Sequence, residues 1–219
     1  MIDLHTHSLF SDGVLVPSEL VRRAVTKGYR VIAITDHADA SNLDFIIPRV
    51  AAACRELTKH WKIVALPGIE LTHIPPETFG ELTDKARSLG AAIVVAHGET
   101  LVEPVPPGTN KAAIAAGVDI LAHPGLITEE EAALAAKSGV HLEISARKGH
   151  CLSNGHVAAA ALAAGAKLVL DTDAHEPGDL ITGDFALTVL RGAGLNEEQA
   201  RTVMLNSQQL AEQAQRKVR

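Results

Sequence analysis

The sequence predicts an α/β fold on a parallel sheet, with seven strand units that nearly close a barrel, and three observations predict it. Short runs rich in β-branched residues alternate with longer amphipathic or Ala-rich stretches, an order that needs helical crossovers between parallel strands. Aromatics make up only 3% of the chain against 47% hydrophobic residues, so the core is aliphatic, as suits helices packed closely on a parallel sheet. Nearly every apolar run stops at a His, Asp or Glu. Active sites of such sheets are built where the loops leave the carboxyl ends of the strands.

The expected strands run from Ile2 to His5, Val31 to Thr35, Ile63 to Leu66 and on toward Glu70, Ala92 to His97, Val118 to His123, Val140 to Ile144, and Lys167 to Asp171. Between the first two, Leu20, Val21, Ala24 and Val25 share one face of a helix from Pro17 to Lys27, and Gly28 offers a left-handed stop. Thr128 with Glu131 forms a capping-box pattern, Glu129 to Glu131 favour the positive end of the helix dipole, and Gly139 closes that helix. Asn196 with Gln199 repeats the pattern for a last helix expected from Glu197 toward Gln213, leaving Arg216 to Arg219 as a frayed tail.

At 219 residues the chain suits a single domain, 1–219, with one large core. No low-complexity linker divides it; the irregular stretch Val102 to Gly108, with Pro104, Pro106 and Pro107, reads as a loop after the fourth strand. A formal charge of -6, no long Lys/Arg block and few aromatics argue against a non-specific grip on nucleic acid. No apolar stretch reaches the ~18 residues needed to span a membrane, and Met1-Ile2-Asp3-Leu4-His5 is no secretory leader. A cytoplasmic setting is the expectation, with Cys54 and Cys151 as free thiols outside any CxxC spacing. The oligomeric state is left open.

The chemistry lies at the strand ends. His5 and His7 leave the first strand with the i,i+2 spacing that puts two imidazoles on one side of an extended segment. Asp12 follows in a loop, and His37, Glu70, His97, His123, Asp173 and His175 close later strands. A lone strand-end His is more often a satisfied polar residue, and Asp12 or Asp36 alone would ordinarily be a turn or cap residue. Their joint occurrence favours metal. Asp36 is better read as a partner that orients or caps than as a ligand. Imidazole with carboxylate suits Zn²⁺, Mn²⁺ or Fe²⁺. Nine ligands imply two or three ions, which can polarise a phosphoryl oxygen and lower the pKa of a shared water to give a hydroxide nucleophile.

Asp3-Leu4-His5-Thr6-His7 with Ser11-Asp12-Gly13, Thr35-Asp36-His37, Gly68-Ile69-Glu70, His97-Gly98-Glu99, Ala122-His123-Pro124-Gly125 and Thr172-Asp173-Ala174-His175 together resemble the polymerase and histidinol phosphatase (PHP) superfamily. Within it the chain is similar to small stand-alone histidinol-phosphatase-like members and to the PHP domain attached to bacterial family X DNA polymerases. The resemblance implies a distorted, TIM-like (β/α)7 barrel with a trinuclear centre. It implies that His5, His7, Glu70 and Asp173 hold one ion, that Glu70 bridges to a second on His97 and His123, and that Asp12, His37 and His175 hold the third. One departure is Asn206-Ser207 where related chains have Asn-Pro, at what reads as a helix start.

The sixth strand ends without an evident ligand and leads into Arg147-Lys148-Gly149-His150. Arg147 offers a planar fork for two phosphate oxygens and charge stabilisation in the transition state; Lys148 is a compact point charge, and the plain alternative is a solvated basic loop. Substrate contacts are also expected from Glu99 and His150, while Arg147, His175 and Asp173 are the expected catalytic residues. His150 and His156 could equally shuttle a proton or lie on the loop. His73 is ambiguous, His60 and His141 read as helix-end and strand-surface residues, and Lys111 as a helix-surface charge. The leading expectation is a metal-dependent phosphoesterase acting on a small phosphomonoester, with histidinol phosphate suggested by the resemblance. The rivals are exonuclease-like cleavage of nucleic-acid ends, a C–N amidohydrolase, and a metal-stabilised module without turnover.

Overall fold

The computed structural model describes residues 1–218, and its seven main strands form one parallel sheet in the order β1-β2-β4-β5-β6-β7-β8. These are β1 (Ile2–Asp3), β2 (Val31–Ile34), β4 (Val64–Leu71), β5 (Ile93–His97), β6 (Ile120–Ala122), β7 (His141–Ser145) and β8 (Leu168–Asp171), with a two-residue β3 (His37–Ala38) paired to β4. Helices α1 (Pro17–Thr26), α2 (Leu43–His60), α3 (Phe79–Ser88), α4 (Thr109–Ala115), α5 (Glu129–Ser138) and α6 (Asn154–Ala164) make the crossovers, and α7 (Gly183–Gly192) and α8 (Glu197–Lys217) follow β8. This is the expected TIM-like α/β barrel, nearly closed. Both capping boxes form, on Thr128 with Glu131 and on Asn196 with Gln199.

Strand alternation sorts the apolar residues into two layers. Ile32, Ile34, Ile69, Leu71, Val94, Ala96, Leu142 and Ile144 pack outward against the helices. Ala33, Leu66, Ile93, Val95, Ile120, Ala122 and Val169 fill the barrel interior together with Leu210, Ala211 and Ala214 of α8. Helix α8 thus covers the amino-terminal end of the barrel, and the carboxyl end is left for chemistry. Its last turn is ordered, against the expectation of a frayed tail: Lys217 donates to Ala92 O at 3.1 Å and lies 3.1 Å from Asp119 Oδ1. Only Arg219 of that tail lies outside the described residues. Asn206 is not at a helix start either. It sits mid-helix in α8 and donates from Nδ2 to Leu168 O, tying the helix to β8.

The barrel is distorted at one seam. Between β1 and β8 the regular ladder is replaced by an isolated bridge, Thr6 to Ala174, and by two carboxylates that stand in for ladder carbonyls. Leu4 N donates to Asp171 Oδ1 (2.6 Å), Thr172 N to Asp3 Oδ1 (3.1 Å), and Thr172 Oγ1 to Asp3 Oδ2 (2.6 Å). Burial pushes Asp3 up to about 6. Burial, then the neighbouring Asp3 and Glu143, raise Asp171 well above its ordinary value of 3.8.

A carboxyl raised in the folded state binds its proton more tightly there than in the unfolded chain. Its stabilisation is complete below the ordinary value and is lost as pH rises through the folded value. Asp171→Asn keeps the acceptor for Leu4 N and removes the charge. The metal-free variant should therefore gain on wild type as pH rises from the ordinary carboxylate value of 3.8 toward the raised folded value, by up to roughly 1.4 kcal/mol per pH unit. Denaturant midpoints across that range check this; a pH-independent difference would contradict it.

Candidate metal centre

Alternation along the strands explains how most of the polar residues reach the interior. In β5, Ile93 and Val95 face inward, so His97 at the strand end does too. Glu70 is in phase with Leu66, and β3 sets His37 opposite it in the ladder. His123 would point outward by the same count after inward Ala122, but its φ of 30° breaks the alternation. Asp173, with φ 51°, and His73, with φ 52°, are the other non-glycine residues with positive φ among the described ones. Strain of this kind gathers at functional sites. Gly98 is required for close approach, since a Cβ there would meet Ala122 O at 2.3 Å. The ends of β5 and β6 converge, and the rings of His97 and His123 lie 4.5 Å apart.

The structure brings all nine strand-end candidates together. Glu70 lies at the middle: its Oε2 is 2.6 Å from His37 Nδ1, 3.5 Å from His5 Nε2 and 3.7 Å from His7 Nε2, and its Oε1 is 3.6 Å from His123 Nε2. Asp173 Oδ1 is 3.1 Å from His7 Nε2 and 3.8 Å from His5 Nε2, while Oδ2 is 3.8 Å from His123 Nε2. Asp12 Oδ1 sits 3.0 Å from His175 Nε2 and 3.5 Å from His37 Nε2. Five overlapping donor groups emerge among the described residues: His7, Asp12, His37 and His175; His5, His7 and Glu70; His5, His123 and Asp173; His97, His123 and His150; and His73, His97 and Glu103. Asp36 serves the loop, accepting from Ser8 N, Ser8 Oγ and Ser11 Oγ.

The donors fit a cation. His5 Nε2, both ring nitrogens of His7, Glu70 Oε1, His123 Nδ1 and Asp173 Oδ1 are buried without a hydrogen-bond partner, a cost that native interiors avoid unless a ligand or ion satisfies the group. Charge supports the same reading. Against the cost of burial, His37 and His5 hold Glu70 well below the usual carboxylate range, and His5 and His7 do so for Asp173. Burial brings His7 down to about 3 and, with His123 beside it, His150 to about 4. His7 and His150 thus face ionised carboxylates as neutral imidazoles, the state that metals bind, whereas, against burial, Glu70 and Asp12 raise His37 to about 8 and Glu103 and Glu70 raise His97. Burial opposes, but Glu143, Glu70 and Asp173 raise His5 well above its ordinary value.

The loop residues divide differently. Arg147, partly exposed, donates from Nη1 to Asp173 O (3.1 Å), and its Nε lies 3.6 Å from Asp173 Oδ2, so its guanidinium rests on the edge of the cluster. Lys148 is exposed. Glu99 turns from the cluster: its Oε1 accepts from Gly108 N and Asn110 N at 2.9 Å, fixing the start of α4. His150 is buried in the wall, stacked on His123 at 4.1 Å with Nδ1 2.6 Å from Thr100 Oγ1. His156 bonds Ile127 O and belongs to the scaffold. His141 is buried on the inner face of β7 and is no surface residue, because Leu142 and Ile144 take the outward positions.

Two participants escape the strand-end reading. Glu143, mid-strand in β7, is buried, with Oε1 2.6 Å from His5 Nδ1 and Oε2 accepting from His123 N at 2.9 Å. Outward Leu142 and Ile144 were the available signal that Glu143 faces in. Glu103, in the proline-rich loop, lies 3.0 Å from His97 Nε2 and 3.1 Å from His73 Nε2; it carried no sequence signal. A cavity of about 510 Å³ lies elsewhere, against the start of β4 and lined by Pro48, Cys54, Arg55, Thr58 and Lys217. It contains no comparable donor cluster among the described residues.

An α/β barrel whose open end gathers imidazoles and carboxylates in this way is a metal-dependent hydrolase. The chain belongs to the PHP domain family, whose model matches residues 3–151. It is 48% identical over 206 residues to the uncharacterized protein MJ1295 of Methanocaldococcus jannaschii, covering 93% of this chain and 94% of that protein. It is 33% identical over 215 residues to a probable phosphatase of Shewanella sp. (strain ANA-3), covering 86% and 82%. Among solved structures, a chain of archaeal ribonuclease P with mature tRNA superposes with TM-score 0.72 at 16% identity, covering 97% of this chain and 91% of that one. The histidinol phosphate phosphatase of Lactococcus lactis, complexed with zinc, L-histidinol and phosphate, gives 0.58 at 17% identity, covering 95% and 93%. These last two share the fold. Among the described residues no helix is long and apolar enough to cross a membrane.

Proposed function

We propose that this chain is a single-domain phosphoesterase that releases phosphate from a small phosphomonoester, using two or three divalent cations (Zn, Mn or Fe). The observation that carries the reading is the set of buried, partnerless donor atoms converging beside Arg147. His5, His7, Glu70 and Asp173 would hold one ion, Glu70 reaching toward a second on His97 and His123, and Asp12, His37 and His175 a third. Such ions supply Lewis acidity toward a phosphoryl oxygen and ready a water for attack near neutral pH.

The chain's own residues supply recognition. The Arg147 guanidinium is held between Asp173 and Asp179, with Nη1 3.6 Å from Asp179 Oδ2, and stays partly exposed. Two such carboxylates orient the fork without using all five of its donors, leaving N–H groups for phosphate oxygens. Lys148 at the rim adds a point charge, and buried His150 beside the cluster is the residue placed to hold or pass a proton. Histidinol phosphate is one candidate substrate within this class. The similarity to the Shewanella probable phosphatase supports monoester chemistry. A reducing, cytoplasmic setting suits the free thiols Cys54 and Cys151.

The test is a protein loaded separately with Zn²⁺, Mn²⁺ and Fe²⁺ and offered a phosphomonoester panel including histidinol phosphate, a labelled oligonucleotide and an N-acyl amine. Phosphate release from monoesters is expected to dominate. Oligonucleotide trimming or amine release without phosphate release would replace the proposal with a diesterase or amidohydrolase reading.

A further inference from the structure

One carboxylate at the mouth of the barrel is met by three imidazoles. Glu103 Oε2 lies 3.1 Å from His73 Nε2 and 3.0 Å from His97 Nε2, and Glu103 Oε1 lies 3.4 Å from His150 Nε2. Donors bound about 2.1 Å from one ion at angles between 90° and tetrahedral lie about 3.0 to 3.4 Å apart, the same spacing.

The hydrogen bonds behind these rings sharpen the point. His97 Nδ1 is 3.2 Å from Gly98 O, which can only accept. That contact turns Nε2 toward the Glu103 carboxylate, where a shared proton or a divalent cation can join the two. His150 is turned toward the same carboxylate by Thr100 Oγ1 on its Nδ1.

The two residues without a task elsewhere in the cluster are both held in place. His73 adopts a left-handed backbone, as do the candidate ligands His123 and Asp173. Such a conformation is strained in a non-glycine residue and persists where its surroundings impose it. Glu103 is carried on a loop fastened at its far end, where Glu99 Oε1 accepts from Gly108 N and Asn110 N. Pro104, Pro106 and Pro107 limit its freedom further.

We propose that Glu103 and His73 complete the coordination of the ion held through His97, so that a borderline divalent cation such as Zn²⁺ or Mn²⁺ clasps the 101–108 loop over the open end of the barrel. This rests on the reading of the barrel mouth as a metal centre. It adds a loop-borne carboxylate and the histidine just past β4 to the ligands, and it makes order in the loop depend on the metal.

The experiment compares wild type, Glu103→Gln and His73→Ala by Zn²⁺ competition with a chromophoric chelator and by hydrogen exchange of the 100–109 segment with and without Zn²⁺. In wild type, Zn²⁺ should slow exchange in that segment. In both variants one Zn²⁺ should bind at least roughly tenfold more weakly, with the metal-dependent protection of the segment lost and the remaining ions retained. Circular dichroism confirms folding, and the two substitutions lie at partly exposed positions on separate segments. Unchanged Zn²⁺ affinity and protection in both variants would overturn the inference while leaving the metal centre intact. A wild type that binds no divalent cation would overturn both.

Discussion

Glu70→Gln is expected to lower the proposed phosphoesterase activity by about a thousandfold or more, with loss of bound metal. The argument is geometric. One oxygen of Glu70 faces His5, His7 and His37, and the other faces His123, so the residue joins two donor groups only if both atoms can ligate. Glutamine supplies one oxygen and one amide that cannot bind a cation. Loss of an ion removes several kcal/mol of transition-state charge stabilisation, and each ~1.4 kcal/mol is a factor of ten in rate. The imidazoles gathered about Glu70 also lose the carboxylate that offsets their charge. Metal content by mass spectrometry and kcat/KM on the best monoester are the measurements. Full metal content with wild-type turnover would remove Glu70 from the ligand set and break the bridging scheme.

The strands were legible because each apolar run reports its own burial, and most observed strands fall within the expected runs. The two-residue β3 was not, because Thr35 and Asp36 interrupt the apolar signal before His37. Local chemistry also fixed the capping boxes of α5 and α8. What stayed hidden depended on partners distant in sequence. Nothing near Asn206 or Lys217 says that they bond to β8 and to Ala92, so α8 was read too short. Asp171 and Asp3 close the seam by contacts 167 and 169 residues apart in sequence, which no local pattern reports. The histidines were conspicuous at run ends, yet His150 and His73 could not be sorted from His156 without knowing which loops fold inward. Glu103 sits between prolines in a stretch whose composition describes only a loop.

The strand that supplied no visible ligand at its end turns out to hold the cluster from behind, and Glu143→Gln is the sharpest test of that. Glu143 contacts His5 Nδ1 and accepts from His123 N, so one side chain on β7 sets the ring orientation of a β1 histidine and the backbone of a β6 histidine. Both bonds need an acceptor. Glutamine keeps the volume but offers one acceptor and one donor, so either the His5 ring or the strained His123 backbone loses its anchor. Removing a group that orients a ligating histidine typically costs about 10–100-fold in metal affinity or activity. The variant should therefore fold, bind metal about 10–100-fold more weakly, and recover turnover in part as metal is raised. Glu70→Gln should not recover. That contrast separates a positioning role from a ligand and from simple damage to the barrel: a Glu143→Gln enzyme with wild-type metal affinity would show that the buried contact is structural alone.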